Sequence, residues 1–238
     1  MLKLSIEKMR RVPIKMQADL MAIVEKRTKE MNNLRDAILQ WSGEFVEFRD
    51  DTSGKHIEHV RKYMKILINA AKKEGPYIKE ISEWDVNAVL LASALHDVGK
   101  IKIPDNILLK KGRLSPKEYE KMKNHCLYGK QLLESLGARL SGESFLEYAK
   151  SMAYYHHEKW DGTGYPEQLK GDKIPLEARM MALVDVYDAM VSVRPYKPAC
   201  SHNQALKTIQ KERGIHFDPV LVDLFVKSSD EVKKIEKG

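Results

Sequence analysis

The sequence predicts an all-α helical bundle preceded by a long N-terminal helix. Glycine and proline are sparse outside a few short stretches, and the segments between them carry apolar residues at helical spacing. The alternation of apolar and polar residues that marks a half-buried strand is rare. The chain has 238 residues, which is long enough to bury one sizeable hydrophobic core.

The first predicted helix covers about Ala18 to Phe48. Pro13 should end any helix that precedes it. Residues of its apolar seam recur at alternating spacings of four and three, as in a coiled coil, and Arg27 is the one seam position that is not apolar. We assign 1–48 to a helical linker or dimerisation segment that forms a parallel homodimer, and 49–238 to the main domain. The same face could instead pack on the chain's own core, most readily over its last three apolar positions. The apolar seam consists of Leu20, Val24, Met31, Leu34, Ile38, Trp41, Phe45 and Phe48.

The remaining helices are bounded by capping and breaking signals. Ser115, Pro116 and Glu118 form a capping box with proline at the first helical position, which predicts a helix start. Thr52 or Ser53 is the expected N-cap of the helix that begins near Lys55. Irregular loops are expected at 101–114 and 160–175, where periodicity is weak or glycine and proline are dense. Helices are expected over about 55–73, 85–97, from 116 onward, 143–157 and 176–193, with two shorter helices at the end, the last one starting at Asp218-Pro219.

Composition narrows the classes of function. A net charge of +7 and a pI near 9.1 favour anionic partners, although the lysines are spread along the chain and no nucleic-acid-binding signature is present. The chain lacks both the apolar run of a membrane span and that of a signal peptide, so we expect a cytoplasmic protein without a membrane or nucleic-acid-polymer partner. Cys126 and Cys200 form no CxxC pair, which argues against a disulfide framework and a cysteine zinc site.

Histidine and aspartate doublets carry the chemical signal. A lone histidine at a helix end is usually a cap or a dipole partner, and a lone aspartate in an apolar helix is often a hydrogen-bonding group. Burying two adjacent imidazoles, or an imidazole beside a carboxylate, costs free energy unless a partner satisfies both groups. A divalent metal satisfies several at once, and nitrogen and oxygen ligands suit iron, manganese, cobalt, nickel or zinc. The candidate residues are His56, His96, Asp97, His125, His156, His157 and Asp185.

The order of these residues resembles the HD-GYP family, a branch of the HD-domain metal-dependent phosphohydrolases. HD alone is a weak signal, whereas HD, HHE and DGTGYP in this order are specific. The resemblance covers about Arg49 to Val226. Its motifs are His56, HDVGK at 96–100, His125, HHE at 156–158, DGTGYP at 161–166 and DVYDAM at 185–190, with smaller matches at 103–125, RPYK at 194–197 and GIHFDPVLV at 214–222.

The resemblance implies an HD-type bundle and a phosphodiesterase that hydrolyses cyclic di-GMP to pGpG or on to GMP through a metal-activated water. It implies two divalent transition-metal ions, iron or manganese first, with nickel, cobalt and zinc as alternatives. All seven candidate residues would be ligands, and Asp97 would bridge the two metals. Asp97 and Lys100 would be the catalytic residues. Substrate would be held by Lys100, Arg194, Lys197, Gly164, Tyr165 and Pro166.

Two metals rather than three are expected, because Thr52 stands where some members of the family carry a glutamate ligand. Asp51 beside it is the alternative source of a carboxylate. The implied partners are cyclic di-GMP and either a regulatory sensor or a diguanylate-cyclase-type protein, which Tyr165 could contact.

Three other functions stay open. The DGTGYP loop argues against an HD-domain phosphohydrolase of another nucleotide. The cations Lys100, Arg194 and Lys197 argue against a mixed-valent di-iron oxygenase, because they favour a phosphate substrate. The intact ligand set argues against a catalytically silent module that only binds cyclic dinucleotides.

Overall fold

The structure, a computed structural model, describes residues 14–49, 55–140, 143–192 and 199–235. The all-α prediction is confirmed, since these residues form helices and no β-strand. The helices are α1 Ile14–Arg49, α2 His56–Lys73, α3 Ile78–Ser82, α4 Val86–Ala92, α5 Asp105–Leu108, α6 Pro116–Gly137, α7 Phe145–Tyr155, α8 Leu176–Val191, α9 His202–Lys211, α10 Pro219–Lys227 and α11 Ser229–Ile235, with short 3₁₀ turns at Ser93–Leu95, Val98–Lys102 and Gly171–Lys173.

The predicted caps hold where the structure describes them. The Ser115 hydroxyl accepts from the Glu118 amide at 3.4 Å, and the Glu118 carboxylate accepts from the Ser115 amide at 2.7 Å. Asp218 caps α10 by accepting from the Val220 amide at 2.8 Å. The predicted caps Thr52 and Ser53 lie outside the described residues.

Three boundary predictions are wrong. The expected helix over 85–97 ends at Ala92 and tightens into the turn Ser93–Leu95, where the Ser93 hydroxyl donates to the Leu90 carbonyl at 2.8 Å. The loop expected at 101–114 contains α5. Three helices, not two, end the described chain. Helices of one or two turns present too few periodic positions to be read from the sequence.

Helix α1 extends through two compact units, Met1–Ile38 and Leu39–Gly238. In the first unit the apolar seam is exposed at every described position from Leu20 to Ile38, and more than half of each of these side chains is accessible. In the second unit Trp41, Phe45 and Phe48 are 63%, 51% and 78% exposed, so this part of the seam does not pack on the chain's own core. No described helix is both long and apolar enough to cross a bilayer.

The core of the second unit is built on α2, α7 and α8. Helix α2 packs against α8 and α10, while α7 packs against α4, α6 and α8. Tyr63, Tyr187 and Phe225 meet edge to face in its centre, with ring centroids 5.0–6.5 Å apart. This packing places the ends of α4 and α7 beside α2, α6 and α8, which carry the remaining candidate residues.

Candidate metal centre

Three histidines are oriented by the main chain in the same way. Nδ1 of His96, His125 and His156 lies 2.9, 2.8 and 2.8 Å from a carbonyl oxygen three or four residues earlier. A carbonyl can only accept, so Nδ1 of each ring carries the hydrogen and Nε2 is left for a ligand. Fixing the tautomer through the far nitrogen is the usual arrangement of a metal-binding histidine.

These Nε2 atoms converge on the two oxygens of Asp97. Asp97 Oδ1 lies 3.3 Å from Nε2 of His125 and 3.7 Å from Nε2 of His156. The other oxygen, Oδ2, lies 3.3 Å from Nε2 of His96. On the same side, His56 Nε2 lies 3.6 Å from Asp185 Oδ1. Asp97 therefore faces a different histidine with each oxygen, as a bridging carboxylate does.

The donor set fits a divalent metal. Asp97 Oδ1 and His96 Nε2 are buried and have no hydrogen-bond partner, a costly state that a cation between the ligands would relieve. Ligand atoms gather in two groups, and within each group all of them lie within 4.8 Å of one another. One group is His125, Cys126, His156 and His157, and the other is Glu47, His56 and His96.

Burial sets the protonation of the first group. It lowers the pKa of His125 and His157, and it lowers the pKa of His156 to about 4, so these rings are neutral and keep a lone pair at neutral pH. Burial raises the pKa of the Cys126 thiol, which holds the sulfur protonated and disfavours a thiolate ligand.

His96 behaves differently because Asp97 is beside it. Burial alone would lower the pKa of His96, but the adjacent carboxylate outweighs it and raises the pKa to about 9. Burial would raise the pKa of Asp97, yet Lys100 and His96 hold it well below its usual range. A metal that binds His96 must therefore displace a proton.

A glycine lets the HDVGK segment reach α6. A Cβ on Gly99 would lie 1.9 Å from the carbonyl oxygen of His125 and 2.4 Å from the amide of Gly129. Only glycine permits this approach, which sets Asp97 against His125. Lys100 follows, with its ammonium 2.8 Å from Asp97 Oδ2 and 3.6 Å from Glu47 Oε1.

Glu158, the acidic residue of the HHE motif, holds the DGTGYP loop beside the metal centre through hydrogen bonds. This buried carboxylate accepts from the amides of Glu167 and Leu169 at 2.7 and 3.0 Å, so it supports the loop. The Tyr165 ring stacks on His157 with centroids 4.8 Å apart and an interplanar angle of 26°. The substrate candidates Gly164, Tyr165 and Pro166 thus lie next to a proposed ligand, and they are buried, half-buried and exposed respectively.

Two carboxylates of the centre were not predicted. Asp188 is fully buried, and it bonds Nδ1 of His56 at 2.7 Å and Nδ1 of His59 at 3.1 Å. It lies three residues after Asp185 on the same face of α8, so helical spacing within DVYDAM could have indicated it. Glu47 comes from α1, and no sequence motif links that helix to the centre.

The structure brings together all seven predicted ligands and Lys100. The predicted phosphate contacts Arg194 and Lys197 lie outside the described residues. Thr52 and Asp51, on which the expected metal count depends, also lie outside them.

A family model described as "HD domain" matches residues 50–221, most of the chain. The chain belongs to the HD-domain family. This family implies the use of a divalent metal, in agreement with the two ligand groups. The predicted HD-type bundle is confirmed, and so is the resemblance to HD-GYP proteins, through the relatives that follow.

Curated relatives of this HD-domain chain are bacterial phosphodiesterases. It is 43% identical over 205 residues to a "Probable cyclic di-GMP phosphodiesterase" of Vibrio cholerae, covering 85% of this chain and 46% of that protein. It is 37% identical to a "Cyclic di-GMP phosphodiesterase" of Thermotoga maritima, with 79% and 48% covered. It is 38% identical to a "3'3'-cGAMP-specific phosphodiesterase 2" of Vibrio cholerae, with 78% and 33% covered. The chain spans less than half the length of each of these relatives.

A solved structure described as an HDG"Y"P protein from Bdellovibrio bacteriovorus has the same fold. It matches with a TM-score of 0.51 at 16% identity, covering 83% of this chain and 61% of that one. At this identity the likeness concerns the fold alone.

Proposed function

We propose that the chain hydrolyses a phosphodiester bond of a cyclic dinucleotide, with cyclic di-GMP as the substrate and pGpG or GMP as the product. The observation that carries the proposal is the convergence of histidine Nε2 atoms on both oxygens of Asp97, with the Lys100 ammonium beside them. The relatives named as cyclic di-GMP phosphodiesterases support this choice of substrate.

The proposed cofactor is a pair of divalent ions, iron or manganese, which the seven predicted ligands would hold, with one oxygen of Asp97 available to each. When bound, such ions activate water and offset charge on phosphoryl oxygens. The protein's own residues hold the diester in place. The Lys100 ammonium lies 2.8 Å from Asp97 Oδ2. From this position it would hold a phosphate oxygen of the diester and offset its charge. Tyr165, stacked on His157, forms one wall of the substrate site.

The test is anaerobic purification, metal counting, and an assay with cyclic di-GMP after Mn²⁺ or Fe²⁺ is restored. We expect about two ions per chain and linear products that a metal-free sample does not form. Substrate binding without turnover under every metal would favour the silent binding module. Failure to take up any metal would overturn the proposal.

A second substrate deserves a parallel assay because of one relative. The 38% identical protein of Vibrio cholerae is named for 3'3'-cGAMP, which differs from cyclic di-GMP in one base. Hydrolysis of 3'3'-cGAMP at a higher kcat/KM than cyclic di-GMP would move the assignment to that nucleotide while leaving the chemistry unchanged.

A parallel homodimer through α1 is the proposed assembly. In each of the two units the described seam positions are exposed, among them Leu34 at 56% in the first and Trp41 at 63% in the second. A sustained seam of this kind buries its side chains most readily against a second copy of the same helix. Light scattering at the concentration used for the assays measures the oligomeric state, and a monomer would refute the proposed dimer.

A further inference from the structure

The last turns of α1 turn one polar face toward the domain. Gln40 accepts a hydrogen bond from Arg61 at 3.1 Å, and Arg49 donates to the Ile101 carbonyl at 3.0 Å. Between them stands Glu47, which is 2% exposed. Positions 40, 43 and 47 are three and four residues apart, so they share one face of the helix.

Gly43 brings this face into contact with the segment that carries the HD pair. A Cβ on Gly43 would lie 2.1 Å from the carbonyl oxygen of Ala94, so a larger residue would have to push the two segments apart. Ala94 precedes His96 by two residues. The backbone of α1 is thus fixed against the site one turn before Glu47.

Glu47 enters a group of ligand atoms with two of the predicted metal ligands. Carboxylate and imidazole atoms of Glu47, His56 and His96 all lie within 4.8 Å of one another. Nε2 of His96 is buried and has no hydrogen-bond partner, so it faces this group with an unsatisfied polar atom. The Lys100 ammonium lies 3.6 Å from Glu47 Oε1 and 2.8 Å from Asp97 Oδ2.

The charges favour a cation in this position. Burying a carboxylate costs several kcal/mol unless an opposite charge offsets it. Lys100 lies within 3.6 Å of both Glu47 and Asp97, and the half-buried Asp185 lies 3.6 Å from His56, so three carboxylates lie beside the two imidazoles. A divalent ion bound to the two imidazoles would take the place of the His96 proton, offset the charge of these carboxylates and occupy the unsatisfied nitrogen.

We infer that Glu47, in the last turn of α1, is a metal ligand. Together with His56 and His96 it completes the metal-binding position on the Oδ2 side of Asp97. The inference rests on the proposed function, because it assumes that the centre binds metal. It assigns to α1 a part in the centre, so the helix that carries the apolar seam also supplies a ligand.

The test compares Glu47→Gln with Glu44→Gln in the full chain. Glu44 lies on the same helix one turn earlier, outside the ligand group, and accepts from Gln40 at 3.1 Å, so its variant makes the same charge change away from the centre. Each protein is loaded with Mn²⁺ alone, desalted and counted by elemental analysis, and the ion affinities are measured by calorimetry. We expect Glu47→Gln to lose one ion per chain or to bind it at least about 10-fold more weakly, while Glu44→Gln matches the wild type.

The outcomes separate this inference from the proposed function. A Glu47→Gln variant with wild-type Mn²⁺ stoichiometry and affinity would overturn the inference alone, and would leave Glu47 as a salt-bridge partner of Lys100. A wild type that takes up no Mn²⁺ would overturn both. If Glu47→Gln fails to fold, Glu47→Asp replaces it, since it keeps the charge but shortens the reach. Weakened binding of one ion would again support the inference, and unchanged binding would refute it.

Discussion

Replacing Asp188 with asparagine tests whether this buried carboxylate positions His56 for metal binding. Asp188 is fully buried, with Oδ2 at 2.7 Å from His56 Nδ1 and Oδ1 at 3.1 Å from His59 Nδ1. Burial would raise the pKa of Asp188, but hydrogen bonds from both histidines outweigh it and the pKa lies below its usual range. The carboxylate is therefore ionised at neutral pH, and it fixes Nε2 of His56 toward the metal position.

The amide in Asp188→Asn keeps one acceptor oxygen and offers donors in place of the other. One of the two histidines loses its acceptor, and the negative charge behind His56 disappears. Loss of such an outer partner typically costs 10–100-fold in metal affinity, which is about 1.4–2.7 kcal/mol. We expect Mn²⁺ titration by calorimetry to show this weakening, and excess metal to restore much of the hydrolysis.

The matched control is Asp218→Asn. Asp218 is also a buried carboxylate, held by Arg179 and Tyr77 at 2.6 Å each, but neither partner belongs to the metal centre. It should lower the melting temperature without changing Mn²⁺ affinity. Equal Mn²⁺ affinity in Asp188→Asn and wild type would refute the positioning role.

Three further outcomes are expected. The double variant His156→Ala/His157→Ala should lose metal and all hydrolysis, and unchanged metal content by elemental analysis would sink the ligand assignment. Lys100→Ala and Arg194→Ala should keep their metal but lose activity, because the two cations are expected to bind substrate phosphate. Full activity in both variants would mean that these residues are ordinary surface charges. The raised pKa of His96 adds stability to the metal-free protein that is complete below its unfolded pKa of about 6.5 and is lost as the pH rises through about 9. Its melting temperature should therefore fall over this range more than that of the Mn²⁺-loaded protein, and parallel curves would contradict the reasoning.

The sequence predicted which candidate residues the structure brings together, because the signal of these residues is local. His96-Asp97 and His156-His157 are adjacent in the chain, so their joint burial cost is visible without a structure. The capping box at Ser115 is equally local and is confirmed. Each of these features depends on residues within one turn of each other.

What the sequence did not reveal depends on contacts between distant segments. Glu47 reaches the centre because Gly43 allows α1 to touch Ala94, about fifty positions away, and neither residue belongs to a motif. Asp188 acts on His56 across α2 and α8, and its role emerges only when these helices pack. Short helices such as α3 were missed because one turn carries too little periodicity.

The seam on α1 gives a last prediction, that Val24→Glu weakens the proposed dimer. Val24 is 56% exposed, so the substitution costs the single chain little. In a parallel pair the residue is buried twice, and burial of a valine stabilises by at least about 1.5 kcal/mol per chain, so the dimer dissociation constant should rise at least about 100-fold. Ala22→Glu is the control, because it places the same charge on the opposite, exposed side of the helix. Light scattering across a dilution series should show Val24→Glu dissociating at concentrations where Ala22→Glu and wild type remain dimers. Equal dissociation in both variants would mean that added charge, and not the seam, controls assembly.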